Sequence, residues 1–207
     1  MAINYGIKAD VVDIAGDTPK ASDVFLVDTN VWYWITYTRA SQSSRPPAPY
    51  QTVHYPAYTN AALSAHARIY QSGLTLAELT HIIEKVEREI YEATNGQIGK
   101  KEFRHNFSGE RGQVVAEIGA AWSQITALAE PLSCSIDAPF TSAALSRLHA
   151  QKVDGYDLFI LESMKNHGII QVLTDDGDFA TVPSIQVFTA NRNVIQAAAD
   201  QGKLIIR

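Results

Sequence analysis

Carboxylate side chains are concentrated in one stretch of this sequence, Val153 to Phe179, which holds six acidic residues against the single basic residue Lys165. Two of the acids stand where a helix is predicted to begin, and three follow an apolar run of strand length. The six are Asp154, Asp157, Glu162, Asp175, Asp176 and Asp178. Crowded carboxylates with no Cys and no clustered His favour a hard cation such as Mg²⁺ or Mn²⁺ over zinc.

Two acids elsewhere in the chain complete a pattern. Asp28 follows the apolar run Val24–Val27, and Glu78 lies in a predicted helix. Taken singly, Asp28 could begin a turn or cap the next helix, and Glu78 forms a T-x-x-E capping box with Thr75, which is the more common meaning of that spacing. In a parallel α/β sheet, however, the ends of strands and the beginnings of the following helices share one edge. We therefore expect four acids to converge there, namely Asp28, Glu78, Asp157 and Asp176.

The elements that must position these acids alternate between helices and short apolar strands. This alternation predicts a three-layer α/β/α fold around a central parallel sheet. Strands are predicted at residues 9–14, 24–27, 132–136, 169–173, 185–188 and 204–206. Helices are predicted after Asp28-Thr29-Asn30 and at residues 60–72, 75–95, 113–129, 141–150, 154–167 and 193–200.

One domain is expected over residues 23–207, with residues 1–22 as an N-terminal extension. The segment 36–59 is rich in Ser, Pro and Tyr, and it is interpreted as an inserted surface loop.

Composition narrows the function classes. Of the 207 residues, 46% are hydrophobic and 19% are charged, so a packed core is expected. The formal net charge of −5 argues against a protein that coats nucleic acid by bulk charge and leaves a local basic groove as an alternative. No apolar stretch approaches the ~18 residues of a membrane span, and no signal peptide is visible, so a cytoplasmic location without a membrane partner is expected. The single cysteine, Cys134, excludes an internal disulfide and a Cys-based zinc site, and its apolar surroundings predict a buried, inert thiol.

The motifs, taken in order, resemble those of PIN-domain ribonucleases, including the toxin-like members of bacterial toxin–antitoxin pairs. The matching segments are LVDTN with Asp28, TLAELTHII with Glu78, the helix from Asp157 to Gly168, and VLTDDGDF. The resemblance covers most of the chain, and its last segment is the most distinctive.

The resemblance implies roles for individual residues. Asp28, Glu78, Asp157 and Asp176 would be the catalytic, metal-binding acids, with Asp178 beside them and with Asn30 and Thr174 orienting them. Asp154 and Asp175 are alternatives to Asp157 and Asp176 in these roles. Counting back from Gly168 favours Asp157 over Asp154, and the T-x-D-x-D-F frame favours Asp176 over Asp175.

The function implied is a Mg²⁺- or Mn²⁺-dependent endoribonuclease, with RNA as substrate and with a small antitoxin and a homodimer as expected partners. The length of the chain counts against toxin identity more than against nuclease chemistry. A non-catalytic PIN-like module that binds RNA or protein is the alternative. A phosphatase of the haloacid dehalogenase type would require D-x-D after the first strand, and position 30 is Asn.

Basic and aromatic residues outside the motifs are candidates for guiding RNA, although solvated surface charge is the more common role for each basic residue. The basic candidates are Arg39, Arg45, Lys100, Lys101, Arg104 and Arg111. The tyrosines of the 36–59 segment could stack on unpaired bases, but loop tyrosines more often pack their own loop; they are Tyr37, Tyr50, Tyr55 and Tyr58. His81 is expected to be a surface or core histidine and not a ligand.

Overall fold

The computed structural model describes residues 3–207, which form a mixed α/β fold around one parallel sheet. The strands in this range are β1 (Asp10–Asp13), β2 (Val24–Val27), β3 (Arg68–Ser72), β4 (Glu130–Leu132), β5 (Gln171–Leu173) and β6 (Gln186–Thr189). The helices are α1 (Thr29–Thr36), α2 (Pro49–Ser64), α3 (Gly73–Asn95), α4 (Lys100–Asn106), α5 (Ser108–Leu128), α6 (Ala138–Ala150), α7 (Gly155–Asn166) and α8 (Arg192–Asp200).

The sheet is buried on both faces, which confirms the three-layer prediction. Successive side chains of a strand point to opposite faces, so Phe25 packs into one core with Trp32 and Ile83, while Leu26 packs into the other with Leu161. The first core holds α1, α2, α3 and α5, and the second holds α7 and α8. A strand covered on both sides must be apolar throughout, as the sequence of β2 is.

Strand order brings distant parts of the chain to the same place. The order is β1-β6-β5-β2-β3-β4, with every pair parallel. Leu26 of β2 stands opposite Val172 of β5, and the Asp28 amide donates to the Leu173 carbonyl at 3.0 Å. The segments that follow these two strands therefore leave the sheet side by side.

The segment 36–59 is not mainly a loop, and the predicted helix 60–72 is wrong. Pro49 occupies the first turn of α2, which runs through to Ser64. Arg68–Ser72 then forms β3 between β2 and β4. The prediction failed because the Tyr- and Pro-rich composition hid a helix, whose buried residues include the aromatic Tyr55 and Tyr58. Pro56 also lies inside this helix.

The N-terminal segment contributes a strand to the sheet, as predicted for residues 9–14. β1 pairs with β6 at the edge, and Leu204 forms a single parallel bridge to Val11 where a last strand was predicted at 204–206. The domain boundary at residue 23 stays a prediction.

Arg207 stabilises this part of the sheet through two ion pairs and one aromatic contact. Its guanidinium contacts Asp17 at 2.7 Å and Asp23 at 2.6 Å, and it stacks 4.6 Å from the centre of the Phe188 ring.

The fourth strand is shorter than expected and lies earlier. β4 ends at Leu132, and the residues up to α6 have no regular structure. Cys134 is exposed in this connection, so the prediction of a buried thiol is wrong. No helix within residues 3–207 is long and apolar enough to cross a membrane.

Candidate metal centre

The predicted acids stand on four different elements at one edge of the sheet. Asp28 directly follows β2, and Asp176 lies three residues beyond β5. Glu78 lies in the second turn of α3, and Asp157 lies in the first turn of α7. Their charges act on one another: the charges of Asp28, Asp176 and Glu78 all raise the pKa of the Asp157 carboxyl group. The structure thus brings together four residues from widely separated parts of the chain.

Asp28 is the most firmly held of these acids. Its Oδ1 accepts a hydrogen bond from the Thr29 amide at 2.7 Å, and its Oδ2 accepts from the Thr174 hydroxyl at 2.6 Å and from Nδ2 of Asn30 at 2.8 Å. The Thr174 hydroxyl also accepts from the Asp176 amide at 2.9 Å. Thr174 therefore links the segment after β2 to the segment after β5.

Burial makes the charged form of two acids unfavourable. Asp28 is 5% exposed and Asp157 is 8% exposed. Burial raises the pKa of Asp28 to about 7, with further contributions from Glu78 and Asp176, although the Thr174 hydrogen bond acts in the opposite direction. Burial, then the neighbouring Asp28 and other acids, raise the pKa of Asp157 to about 9. Within residues 3–207, both carboxyl groups lack a nearby positive charge, which would lower their pKa.

Glu78 does not form the capping box that its spacing suggested. The residue that caps α3 is Ser72, whose hydroxyl accepts from the Leu74 amide at 3.2 Å. Glu78 is free to face the edge of the sheet, where its Oε2 is buried and makes no hydrogen bond within residues 3–207. Burial and then the charges of Asp154 and Asp176 raise its pKa, while the nearby Thr29 hydroxyl opposes this.

The turn after β5 separates the roles of two adjacent acids. Asp175 is bound by α2: it accepts from Tyr55 at 2.7 Å, from Gln51 at 2.7 Å and from Tyr50 at 3.0 Å. The Asp176 side chain instead accepts from the Asp178 amide at 2.8 Å. Asp176 is exposed, yet the protein around its carboxyl group, and then Asp154 and Asp175, raise its pKa. The contacts with α2 favour Asp176 over Asp175 as the free acid.

Two neighbouring acids belong to the same group. Loss of solvent and the charge of Asp176 raise the pKa of Asp178. Asp154 occupies the N-cap position of α7, but its side chain does not cap the helix. It is exposed, and its charge acts on Asp157 and Asp176. The sequence predicted Asp154 only as an alternative to Asp157, whereas in the structure Asp154 is an additional member of this group of acids.

The chemistry of this donor set fits a divalent cation. Among the residues described, no Lys or Arg forms a salt bridge with Asp28, Glu78, Asp157 or Asp176. Oxygen donors, one of them buried and unpartnered, are what Mg²⁺ and Mn²⁺ prefer. Over the same range, no three His, Cys, Asp or Glu side chains already enclose a common point.

Three of the six basic residues predicted to guide RNA are paired with acids of the protein. Arg39 pairs with Glu87, and Arg104 and Arg111 pair with Glu84, both buried acids of α3. The other three basic candidates are exposed, namely Arg45, Lys100 and Lys101.

The aromatic candidates are also largely committed to the protein. Tyr37, Tyr55 and Tyr58 are buried, with hydroxyls that donate to Glu87, Asp175 and Asp17 respectively. These three therefore cannot stack on bases.

His81 lies at the surface, as expected, and its Nδ1 is 3.4 Å from the Tyr156 hydroxyl.

One residue of the site left no signal in the sequence. The ring of Tyr5, from the N-terminal segment, lies against Gly177 in the acidic turn. Burial and the charges of Asp176, Asp178 and Asp175 raise the pKa of its hydroxyl. Tyr5 precedes Gly177 by more than 170 positions, and the two segments meet because β1 pairs with β6 and because the Lys8 and Ala9 amides donate to the Ala180 carbonyl.

Comparison with known proteins agrees with the motifs. The PIN domain family model matches residues 25–185. Among solved structures, FitAcB from Neisseria gonorrhoeae is 21% identical, and the match covers 82% of this chain and 99% of that chain, with a TM-score of 0.42. FitAB bound to an IR36 DNA fragment is 20% identical over 82% of this chain and 96% of that chain, with a TM-score of 0.39. No curated protein matches the chain.

Proposed function

The chain belongs to the PIN-domain family, and from this premise we propose that it is a metal-dependent endoribonuclease that hydrolyses phosphodiester bonds of RNA. One observation carries the proposal: acids from four elements face one edge of the sheet, three of them buried or partly buried, and no Lys or Arg of residues 3–207 forms a salt bridge with them. Such strongly perturbed carboxyl groups mark functional sites more often than structural ones.

Asp28, Asp157 and Asp176 would hold Mg²⁺ or Mn²⁺, with Glu78 and Asp178 at its periphery. The bound cation would polarise the scissile phosphate and lower the pKa of an attacking water.

The protein residues have separate tasks. Asn30 and Thr174 keep Oδ2 of Asp28 in one orientation through hydrogen bonds at 2.8 and 2.6 Å, which is how outer residues tune a metal site. The buried Oε2 of Glu78 has no partner among residues 3–207 and is available to accept a proton from water. Because its pKa is raised, the Asp157 carboxyl group would bind a cation in competition with a proton.

Cleavage of single-stranded RNA in the presence of Mn²⁺ tests the proposal. Wild type should cleave, and Asp157→Asn should reduce cleavage by at least about a hundredfold, because one cation ligand is lost. The matched control is Asp200→Asn, an exposed acid at the end of α8, which should retain full activity. Equal activity of wild type and Asp157→Asn would remove the catalytic assignment. RNA binding without cleavage would establish the non-catalytic module instead.

The partners are further proposals. If the chain is a toxin, its expression should arrest growth, the Asp157→Asn variant should not, and co-expression of a short adjacent reading frame should restore growth. Growth arrest by both variants would separate toxicity from the acidic site. A homodimer would appear as twice the chain mass of 22.7 kDa in light scattering.

A further inference from the structure

Tyr5 is held in place through its backbone. Nε2 of Gln201, just after α8, donates to the Tyr5 carbonyl at 2.9 Å, and Oε1 of the same side chain accepts from the Ile7 amide at 2.9 Å. The next residues are bound as well, because the Lys8 and Ala9 amides donate to the Ala180 carbonyl. The segment from Tyr5 to Ala9, just before β1, is therefore held to the protein by hydrogen bonds of its backbone.

The ring of Tyr5 occupies space that only glycine leaves open. A Cβ atom added at Gly177 would lie 2.6 Å from the Tyr5 hydroxyl oxygen and closer still to Cζ of the ring. The left-handed glycines of the described chain are Gly96, Gly168 and Gly202, so Gly177 is not required by its backbone conformation. Gly177 is needed because an aromatic ring lies on its α-carbon.

The Tyr5 hydroxyl is uncommitted. It makes no hydrogen bond to any residue between 3 and 207, and the side chain is half-buried. Its neighbours in the acidic turn are Asp175, Asp176 and Asp178, whose charges all act on it. A phenol that is anchored at its backbone, packed through its ring and free at its oxygen is a preorganised hydrogen-bond donor.

We propose that the Tyr5 hydroxyl binds a non-bridging phosphate oxygen of the RNA strand beside the acidic cluster. A phosphate that enters this site meets carboxylates on several sides, and the basic candidates Arg39, Arg104 and Arg111 are paired with acids of α3. An uncharged donor can bind the phosphate without repelling a cation. The inference rests on the proposed ribonuclease function and assigns a binding role to the N-terminal segment.

Two variants isolate the hydroxyl and its position. Tyr5→Phe removes only the oxygen and keeps the ring on Gly177. Gly177→Ala keeps the hydroxyl but displaces the ring, with a backbone that alanine tolerates. Tyr70→Phe is the matched control, because this half-exposed phenol lies on β3 beside Arg68. Affinity for a fluorescein-labelled single-stranded RNA is measured with Ca²⁺, and KM and kcat are measured with Mn²⁺.

We expect Tyr5→Phe and Gly177→Ala each to weaken RNA binding and raise KM by roughly tenfold, the effect of losing one hydrogen bond to a charged group. The kcat of Tyr5→Phe should stay within about twofold of wild type, and Tyr70→Phe should match wild type. Tyr5→Phe should unfold at the wild-type temperature, since its packing is retained.

Wild-type affinity and KM in Tyr5→Phe would overturn the inference and leave the ribonuclease proposal intact. Loss of affinity in Gly177→Ala alone would also overturn it, because the ring would then act only as packing for the turn. If wild type neither binds nor cleaves RNA, both proposals fall.

Discussion

Replacing Asp157 by Asn should stabilise the metal-free protein at alkaline pH while abolishing activity. Asp157 is 8% exposed and surrounded by Asp28, Asp176, Asp154 and Glu78, and its pKa is raised to about 9 from the ordinary value of 3.8. Between these two values the folded state binds more protons than the unfolded state, so the free energy of unfolding falls as pH rises. Asn carries no charge at any pH, so the variant lacks this penalty.

The size of the effect follows from the width of the pH window. Each pH unit between the unfolded pKa and the working pH contributes at most about 1.4 kcal/mol. At pH 8 the limit is therefore about 6 kcal/mol, and relaxation and water entry into the site reduce it to about 2 kcal/mol. For a chain of this size, about 2 kcal/mol corresponds to a Tm increase of roughly 4–8 °C. As pH falls well below the unfolded pKa of 3.8, both states carry the protonated acid, and the difference should vanish.

The assay is thermal unfolding of wild type and Asp157→Asn in EDTA from pH 4 to 8.5, with Asp200→Asn as the control. The variant should gain over wild type as pH rises, and the control should not. Under the proposed function, added Mn²⁺ should stabilise wild type more than the variant, because Asp157 would be one of its ligands. A variant that is less stable than wild type at pH 8, or a difference independent of pH, would refute the account of Asp157 as a buried and repelled acid.

Three further outcomes follow from other contacts. Arg207→Gln should lower the free energy of unfolding in urea by about 3 kcal/mol, because it leaves Asp23 buried without its partner. Since that ion pair lowers the pKa of Asp23, the loss should shrink as pH falls through the lowered pKa. An unchanged urea midpoint would contradict this expectation. Thr174→Val should lower Mn²⁺-dependent cleavage by roughly 10–100-fold through loss of the hydrogen bond to Asp28, whereas full activity would show that this orientation is dispensable. Cys134 should react with iodoacetamide in the native protein, with mass spectrometry as the readout and protection from alkylation as the contrary result.

The order of the acids could be predicted because Asp28 and Asp176 follow apolar strands and Asp157 lies in the first turn of a helix. β2 and β5 are short apolar runs, and an acid after a buried strand in a parallel sheet can reach only one edge. The motif register also separated Asp176 from Asp175, and the contacts of Asp175 with α2 agree with that choice. The assignment of catalytic and metal-binding roles to these acids stays a prediction.

What could not be read depends on contacts between distant segments. Thr75 and Glu78 have capping-box spacing, but the chain begins α3 earlier, at a cap provided by Ser72. β3 was missed because its burial comes from two neighbouring strands, whereas its own sequence, RIYQS, is half polar. Tyr5 could not be assigned because local sequence carries no information about a ring that lies on Gly177.

The buried glutamates of α3 have a consequence for how RNA affinity should respond to salt. Glu84 and Glu87 occupy Arg104, Arg111 and Arg39, which removes three cations from any strand that approaches. Each phosphate neutralised on a single strand contributes about −0.7 to the slope of log affinity against log salt, through release of its counterions. If Arg45, Lys100 and Lys101, the three exposed candidates, each neutralise one phosphate, the slope should be about −2. Affinity would then follow the concentration of the divalent ion far more than that of sodium chloride.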